Sequence, residues 1–290
     1  MAPLAGVGIV VLSLGVSGTS EAQAWIRDSG DGYLELSYRT FESEELLDAE
    51  GNVLARQEYR QHALAHYGEL GILDRWLMLV IQAELFQHNS LPGLGSTSGV
   101  GDARVALWSG ALVQPFRLSV GVQVGLPFGD PEPYPGPDAD SVEVATARSL
   151  PTGDGEFDLT AMLALGHSFR LGNSPLQMYV QAVGGYAYRT RGFADQIVYR
   201  GEVGLRIASR VLENFLLLAR VSGAERLGDV TEEAADRSGN ALSFTTLGPE
   251  LIAELGAGIA LGFGVEFGLR GTNLRLGTLF KVSLSYRFDT

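Results

Sequence analysis

The run Phe280-Lys281-Val282-Ser283-Leu284-Ser285-Tyr286-Arg287-Phe288 alternates without a break, aromatic or aliphatic residues at every even position and Lys, Ser or Arg at every odd one. A period of two is that of a β-strand, whose successive side chains leave opposite faces of the sheet. The strand is therefore oily on one side and charged on the other. A soluble sandwich would turn the oily side inward, and a membrane barrel would turn it toward lipid. The remaining strands decide between them.

The pattern recurs from Asp31 onward in segments of roughly 10 to 15 residues, close to the strand length of tilted membrane barrels. The cleanest is Arg117–Leu126, in which Leu118, Val120, Val122, Val124 and Leu126 oppose Arg117, Ser119, Gly121, Gln123 and Gly125. Twelve such segments are predicted. The links between them alternate in length. Short ones are expected at Gly71–Asp74, Gln114-Pro115, Arg170–Pro175, Ser209–Asn214 and Leu261-Gly262, and long ones at Glu42–Ala55, Gln87–Gly99, Gly129–Gly155 and Leu227–Ala241. Short turns at one end and long loops at the other are the habit of outer-membrane barrels. Glycine, at 38 of 290 residues, exceeds the usual share of about 7%, and most of it lies inside alternating segments, where barrels use it to bend. A soluble β-protein would carry a polar outer face on nearly every strand, whereas here the charged face is interleaved with Gly and Ala. The expectation is an all-β fold, a single antiparallel up-and-down transmembrane β-barrel of about twelve strands. An even count places both termini on one side, in the periplasm.

The chain opens on an uncharged apolar run, Val7–Val16, followed by Ala22-Gln23-Ala24. This is the form of a secretory signal peptide with a small-residue cleavage site, so residues 1–24 are predicted to be the signal and 25–290 the barrel. No later segment has the roughly 18 uncharged apolar residues of a membrane helix. With no Cys there is no disulfide framework and no thiolate chemistry, and a net charge of −13 argues against nucleic-acid partners.

The non-oily faces supply the candidate lumen lining. Its acids are Glu35, Glu84, Asp102, Glu202, Glu254 and Glu266, with Glu156, Asp158 and Glu250, and its bases are Arg39, Arg60, Arg104, Arg117, Arg200, Arg206, Arg270 and Lys281, with Arg189, Arg220 and Arg287. Opposite charges on facing walls either form ion-pair ladders that fill the lumen or line a narrow aqueous path. No catalytic set is predicted. His167 and Ser168 are adjacent, so they leave opposite faces of a strand. His62 and His66, expected on the lumen face, lack a third metal ligand. No cofactor or metal is expected. Acidic residues gather in the predicted loops, Glu42 to Glu50, Asp130 to Asp140 and Asp229 to Asp236, as a solvated face able to meet lipopolysaccharide phosphates through divalent cations. The Pro-rich stretch 130–138 is expected as an exposed outer loop.

The aromatic-ended last strand resembles the C-terminal signature of bacterial outer-membrane barrels, which implies recognition by the barrel assembly machinery, although Asp289-Thr290 follow the aromatic here. Three stretches, Gly99–Arg104, Leu126–Gly129 and Leu150–Asp158, resemble the outer-membrane proteins found with meta-cleavage pathways for phenol and other aromatics, with Phe128 standing where that family has Thr. The resemblance implies a monomeric barrel in the outer membrane, among its lipids and lipopolysaccharide, that passes small apolar or amphipathic molecules. Expected from the sequence is thus a channel or facilitator, not an enzyme. The alternatives are a closed-lumen structural or receptor barrel with acidic outer loops and, behind it, a lipid-modifying enzyme.

Overall fold

A computed structural model describes residues 23–93, 95–112, 115–131, 150–172, 176–208, 214–228 and 241–289. The strands are β1 (Gly32–Leu47), β2 (Val53–Leu73), β3 (Leu77–Leu91), β4 (Gly95–Gly99), β5 (Ala103–Leu112), β6 (Arg117–Leu126), β7 (Asp158–Arg170), β8 (Leu176–Arg189), β9 (Asp195–Ala208), β10 (Asn214–Leu227), β11 (Ser243–Gly256), β12 (Ile259–Thr272) and β13 (Arg275–Phe288). All pairings are antiparallel between sequence neighbours, and β1 pairs with both β2 and β13, which closes the sheet on itself. β4 and β5 both pair with β3, at Gln87–Leu91 and at Met78–Ala83, and so form one stave interrupted at 100–102. The barrel therefore has twelve staves.

One end, the terminal end, carries both termini and the connections 74–76, 113–116, 171–175, 209–213 and 257–258; the other, the loop end, carries 48–52, 92–94, 127–157, 190–194, 228–242 and 273–274. The fold differs from the sequence reading at several boundaries. Residues expected as loops at Glu42–Ala55 and Gln87–Gly99 are largely strand, so β1, β2 and β3 rise as paired hairpins past the apolar belt. The turn expected at Leu261-Gly262 sits instead at Gly256-Ala257-Gly258, where three consecutive residues have positive φ (109°, 52° and 78°), a backbone that glycine enters freely. Glu156 precedes β7 rather than lying in it. The predicted signal peptide up to residue 22 and most of the Pro-rich and Asp229–Asp236 segments lie outside the described residues.

The outside of the barrel is apolar. Leu36, Leu107, Val122, Leu163, Leu217, Leu251, Phe263, Val282 and Leu284 all point away from the lumen and are close to half exposed. A soluble monomer does not leave so large a contiguous apolar surface in water. Aromatic residues rim the belt. Trp76, Phe116 and Phe169 lie toward the terminal end, with His167 between the two phenylalanines, and Tyr38, stacked on His62, lies with Tyr186 and Tyr188 toward the loop end. Girdles of this kind mark the two membrane interfaces of a transmembrane barrel.

Candidate functional site: the lumen

Inward-facing side chains stack in layers along the barrel. At the terminal end an apolar layer combines Tyr33, Tyr67, Met78, Val80, Ala106, Trp108 and Ala164 with a second cluster of Tyr179, Leu216, Leu218, Ile252 and Ala260. Above it lies an ionic layer. Lys281 Nζ reaches Glu250 Oε1 at 2.7 Å and Glu35 Oε1 at 3.1 Å, while Arg220 binds Glu202 at 2.6 Å and Glu250 at 3.5 Å. Glu250 and Lys281 stand either side of Gly264 in the pairing register of β11, β12 and β13, and the absent side chain there lets them meet. Tyr179 and Tyr33 donate their hydroxyls to Glu202 and Glu35 at 2.6 and 2.9 Å. Lys281 is 3% exposed and Glu35 1%, so these charges are sealed from solvent, and charges so placed need such partners.

The opposite wall is different. Gln82 on β3, Arg104 on β5, Gln123 on β6, Met162 on β7, Val183 on β8 and Arg200 on β9 all face inward, yet each is only half-buried. An inward side chain in the body of a strand can meet solvent only from inside the barrel. The lumen therefore has a sealed wall, formed by β10, β11, β13 and β1, and an open wall from β3 to β9.

At the loop end the connection 127–157 turns into the barrel. Asp102, at the interruption of the fourth stave, accepts backbone N–H bonds from Gly129 (2.9 Å) and Asp154 (3.1 Å). Gln87 donates to the Thr152 carbonyl at 2.6 Å and Asn89 to the Pro151 carbonyl at 2.7 Å. The three stretches that carry the family resemblance, far apart in sequence, thus meet in one knot. Arg189 clamps its far side, bonded to Glu156 and, at 3.1 Å, to Asp154. Leu150 completes an apolar cluster with Phe41, Tyr59, Leu91, Leu242, Phe244 and Leu274. Burial pushes the Glu156 carboxyl up to about 8 despite the Arg189 guanidinium beside it. A docked carboxyl that holds its proton this tightly favours the docked loop below the ordinary glutamate range near 4.5, and that preference fades as pH rises toward 8. Hydrogen exchange of residues 150–157, corrected for intrinsic rate, should accordingly report stronger protection at pH 5 than at pH 8.5. Asp102→Ala should lower that protection at both pH values, since it leaves the Gly129 and Asp154 N–H groups without their acceptor, at about 1–3 kcal/mol for each buried donor.

Of the candidate residues, Glu35, Arg39, Glu84, Arg104, Arg117, Arg200, Glu202, Arg206, Glu254, Glu266 and Lys281 occupy inward positions on their strands, and Asp102 lies in the knot. Arg39 pairs with Glu84 at 3.7 Å and Arg206 with Glu254 at 3.2 Å. Arg60 and Arg270 do not belong to the lumen. Arg60 points outward beside Glu58, and His62 and His66 share that outer face, so the faces of β2 are the reverse of the sequence reading. Arg270 is turned outward by a bulge at Leu269, where Thr245 and Thr246 pair with Arg270 and Gly268, and it binds Glu225 on the outside. Both arginines lie toward the loop end, where polarity inverts: Phe41, Tyr59 and Phe244 point inward, and Glu42, Glu58 and Arg60 outward. Charge marks the lumen face only where the outer face meets lipid. His167 faces out and accepts or donates at the Pro115 carbonyl, on the face opposite Ser168.

A closed antiparallel barrel with an apolar outer belt and a polar interior is the architecture of outer-membrane β-barrel proteins. Among solved structures the chain is similar to an outer membrane channel from Pseudomonas putida F1, with a TM-score of 0.60 and 16% identity over 93% of this chain and 100% of that one. It is also similar to the β-domain of a Bordetella autotransporter, with a TM-score of 0.51 and 15% identity over 90% of this chain and 100% of that one. At these identities the likeness is one of fold. No protein-family model matches the chain, and no curated protein matches it in sequence.

Proposed function

We propose that the protein is an outer-membrane channel or facilitator through which small molecules cross passively, with the terminal end in the periplasm and the loop end outside. The observation that carries this reading is the open wall. A barrel serving only as a scaffold gains by filling its interior on all sides, whereas Gln82, Arg104, Gln123, Met162, Val183 and Arg200 keep solvent contact inside. The likeness to an outer membrane channel supports the same reading. The open wall mixes two arginines with amide and apolar side chains, a lining suited to amphipathic solutes, in keeping with the resemblance to the aromatic-pathway proteins. Lipopolysaccharide at the outer rim, the assembly machinery at β13 and a monomeric state complete the proposal.

Planar-bilayer conductance and liposome swelling test it. Purified protein should pass ions or small solutes, and Met162→Trp with Val183→Trp, which fill the open wall, should lower the passage several-fold while the barrel still folds. The sealed ionic wall favours a second reading, a closed barrel that presents its loops as a receptor or adhesion surface. That reading predicts neither conductance nor swelling.

A further inference from the structure

Before β1 the chain does not leave the barrel but enters it. Trp25 packs edge-on against Tyr179 of β8, with ring centroids 5.9 Å apart, and touches both terminal-end apolar clusters. Its ring lies over Gly166 of β7, where any side chain would collide with it. Ile26 is buried beside Gly110 of β5. Arg27 crosses to the other side, where its Nε binds Glu69 Oε2 of β2 at 2.6 Å and its guanidinium lies 5.6 Å from the centre of the Tyr33 ring of β1. β2 and β8 are well separated around the closed sheet, so the segment spans the lumen. Gln23 and Ala24 add bonds to Ser119 of β6 and Gln181 of β8.

The attachment is of a kind that can be released. Among the described residues no backbone-to-backbone hydrogen bond joins 23–29 to a strand; the first is Gly30 N–H to the Gly71 carbonyl, at 3.0 Å. Residues 28–31 are tied to the end of β2 and to its turn, through Ser29 N–H to Asp74 (2.7 Å), Arg75 to Asp28 (3.3 Å) and the Gly30 bond. They form a tether, and 25–27 form a bar beyond it held by one indole and one ion pair.

We propose that residues 25–27 are a plug that closes the terminal end of the lumen, hinged at 28–31 and seated by Trp25 over Gly166 and by Arg27 on Glu69. The proposal rests on the channel reading above. Ejecting the bar leaves the strands and both ionic and loop-end layers in place, so the barrel stays folded while its terminal end opens.

The chain lacks cysteine, which makes a reversible test clean. Single-channel conductance in planar bilayers would be compared for the wild type, for Trp25→Ala/Arg27→Ala, and for Arg27→Cys/Glu69→Cys joined by a short, reducible dithiol-specific linker. The double alanine variant should conduct several-fold more, or stay open for longer, than the wild type. The linked variant should fall to the wild-type level or below and rise when the linker is reduced. Equal, measurable conductance in all forms would overturn the plug and leave the channel standing. Silence in every form, with heat-modifiable folded barrel present, would overturn both.

Discussion

Replacing Val122 with arginine should nearly abolish assembly of the barrel, and replacing its neighbour Gln123 with arginine should not. Val122 on β6 points outward, 51% exposed, and pairs with the outward Leu107 and Ala161. Near the midplane of the bilayer an arginine on the lipid face costs about 2–4 kcal/mol, a large share of the stability of a typical domain, about 5–15 kcal/mol. Gln123 lies one residue on, on the open wall, where an added guanidinium meets solvent. The yield of heat-modifiable folded protein after refolding into lipid measures both. Comparable losses for the two substitutions would mean that the face assignment of β6 is wrong.

The second large effect is expected at Lys281. Its ammonium lies between Glu35 and Glu250, and Glu250 also serves Arg220. Lys281→Met leaves the volume nearly filled but strands two buried carboxylates, and breaking a buried pair by removing one partner costs about 3–5 kcal/mol. The temperature at which the folded barrel converts to the unfolded form on a gel should drop sharply. Adding Glu35→Gln and Glu250→Gln to Lys281→Met should recover most of the loss, because neutral amides need no counter-charge. If Lys281→Met alone is as stable as the wild type, the ionic layer does not hold the sealed wall together.

How much of this could be read from the chain depends on where each residue lies along the barrel axis. Within the apolar belt lipid outside and water or ion pairs inside impose opposite polarities on the two faces, so the alternation of Phe280–Phe288 or Arg117–Leu126 is an explicit record of orientation. Beyond the belt that constraint ends. Arg60 misleads because charge there faces bulk water, and Arg270 because one extra residue at Leu269 reverses the faces without altering composition. The Glu42–Ala55 and Gln87–Gly99 stretches read as loops because their charges look like turn residues, whereas they are strands of inverted polarity. The plug and the knot left almost no periodic signal. Trp25, Arg27, Thr152 and Asp154 lie in segments without regular pairing, and their roles come from contacts across the lumen. A hint existed in the knot, since Gly129 and Gly153 allow the close backbone approach that Asp102 caps.

The lumen asymmetry underlies the functional reading, and single cysteines in the natively cysteine-free chain measure it directly. In lipid-embedded protein, a small, charged, membrane-impermeant thiol reagent should modify Gln123→Cys and Val183→Cys on the open wall, and should leave Ser283→Cys on the sealed wall and Val122→Cys on the lipid face unmodified until the barrel is denatured. Equal reactivity at positions 123 and 283, or none at 123 and 183, would contradict the existence of a one-sided water path through this barrel.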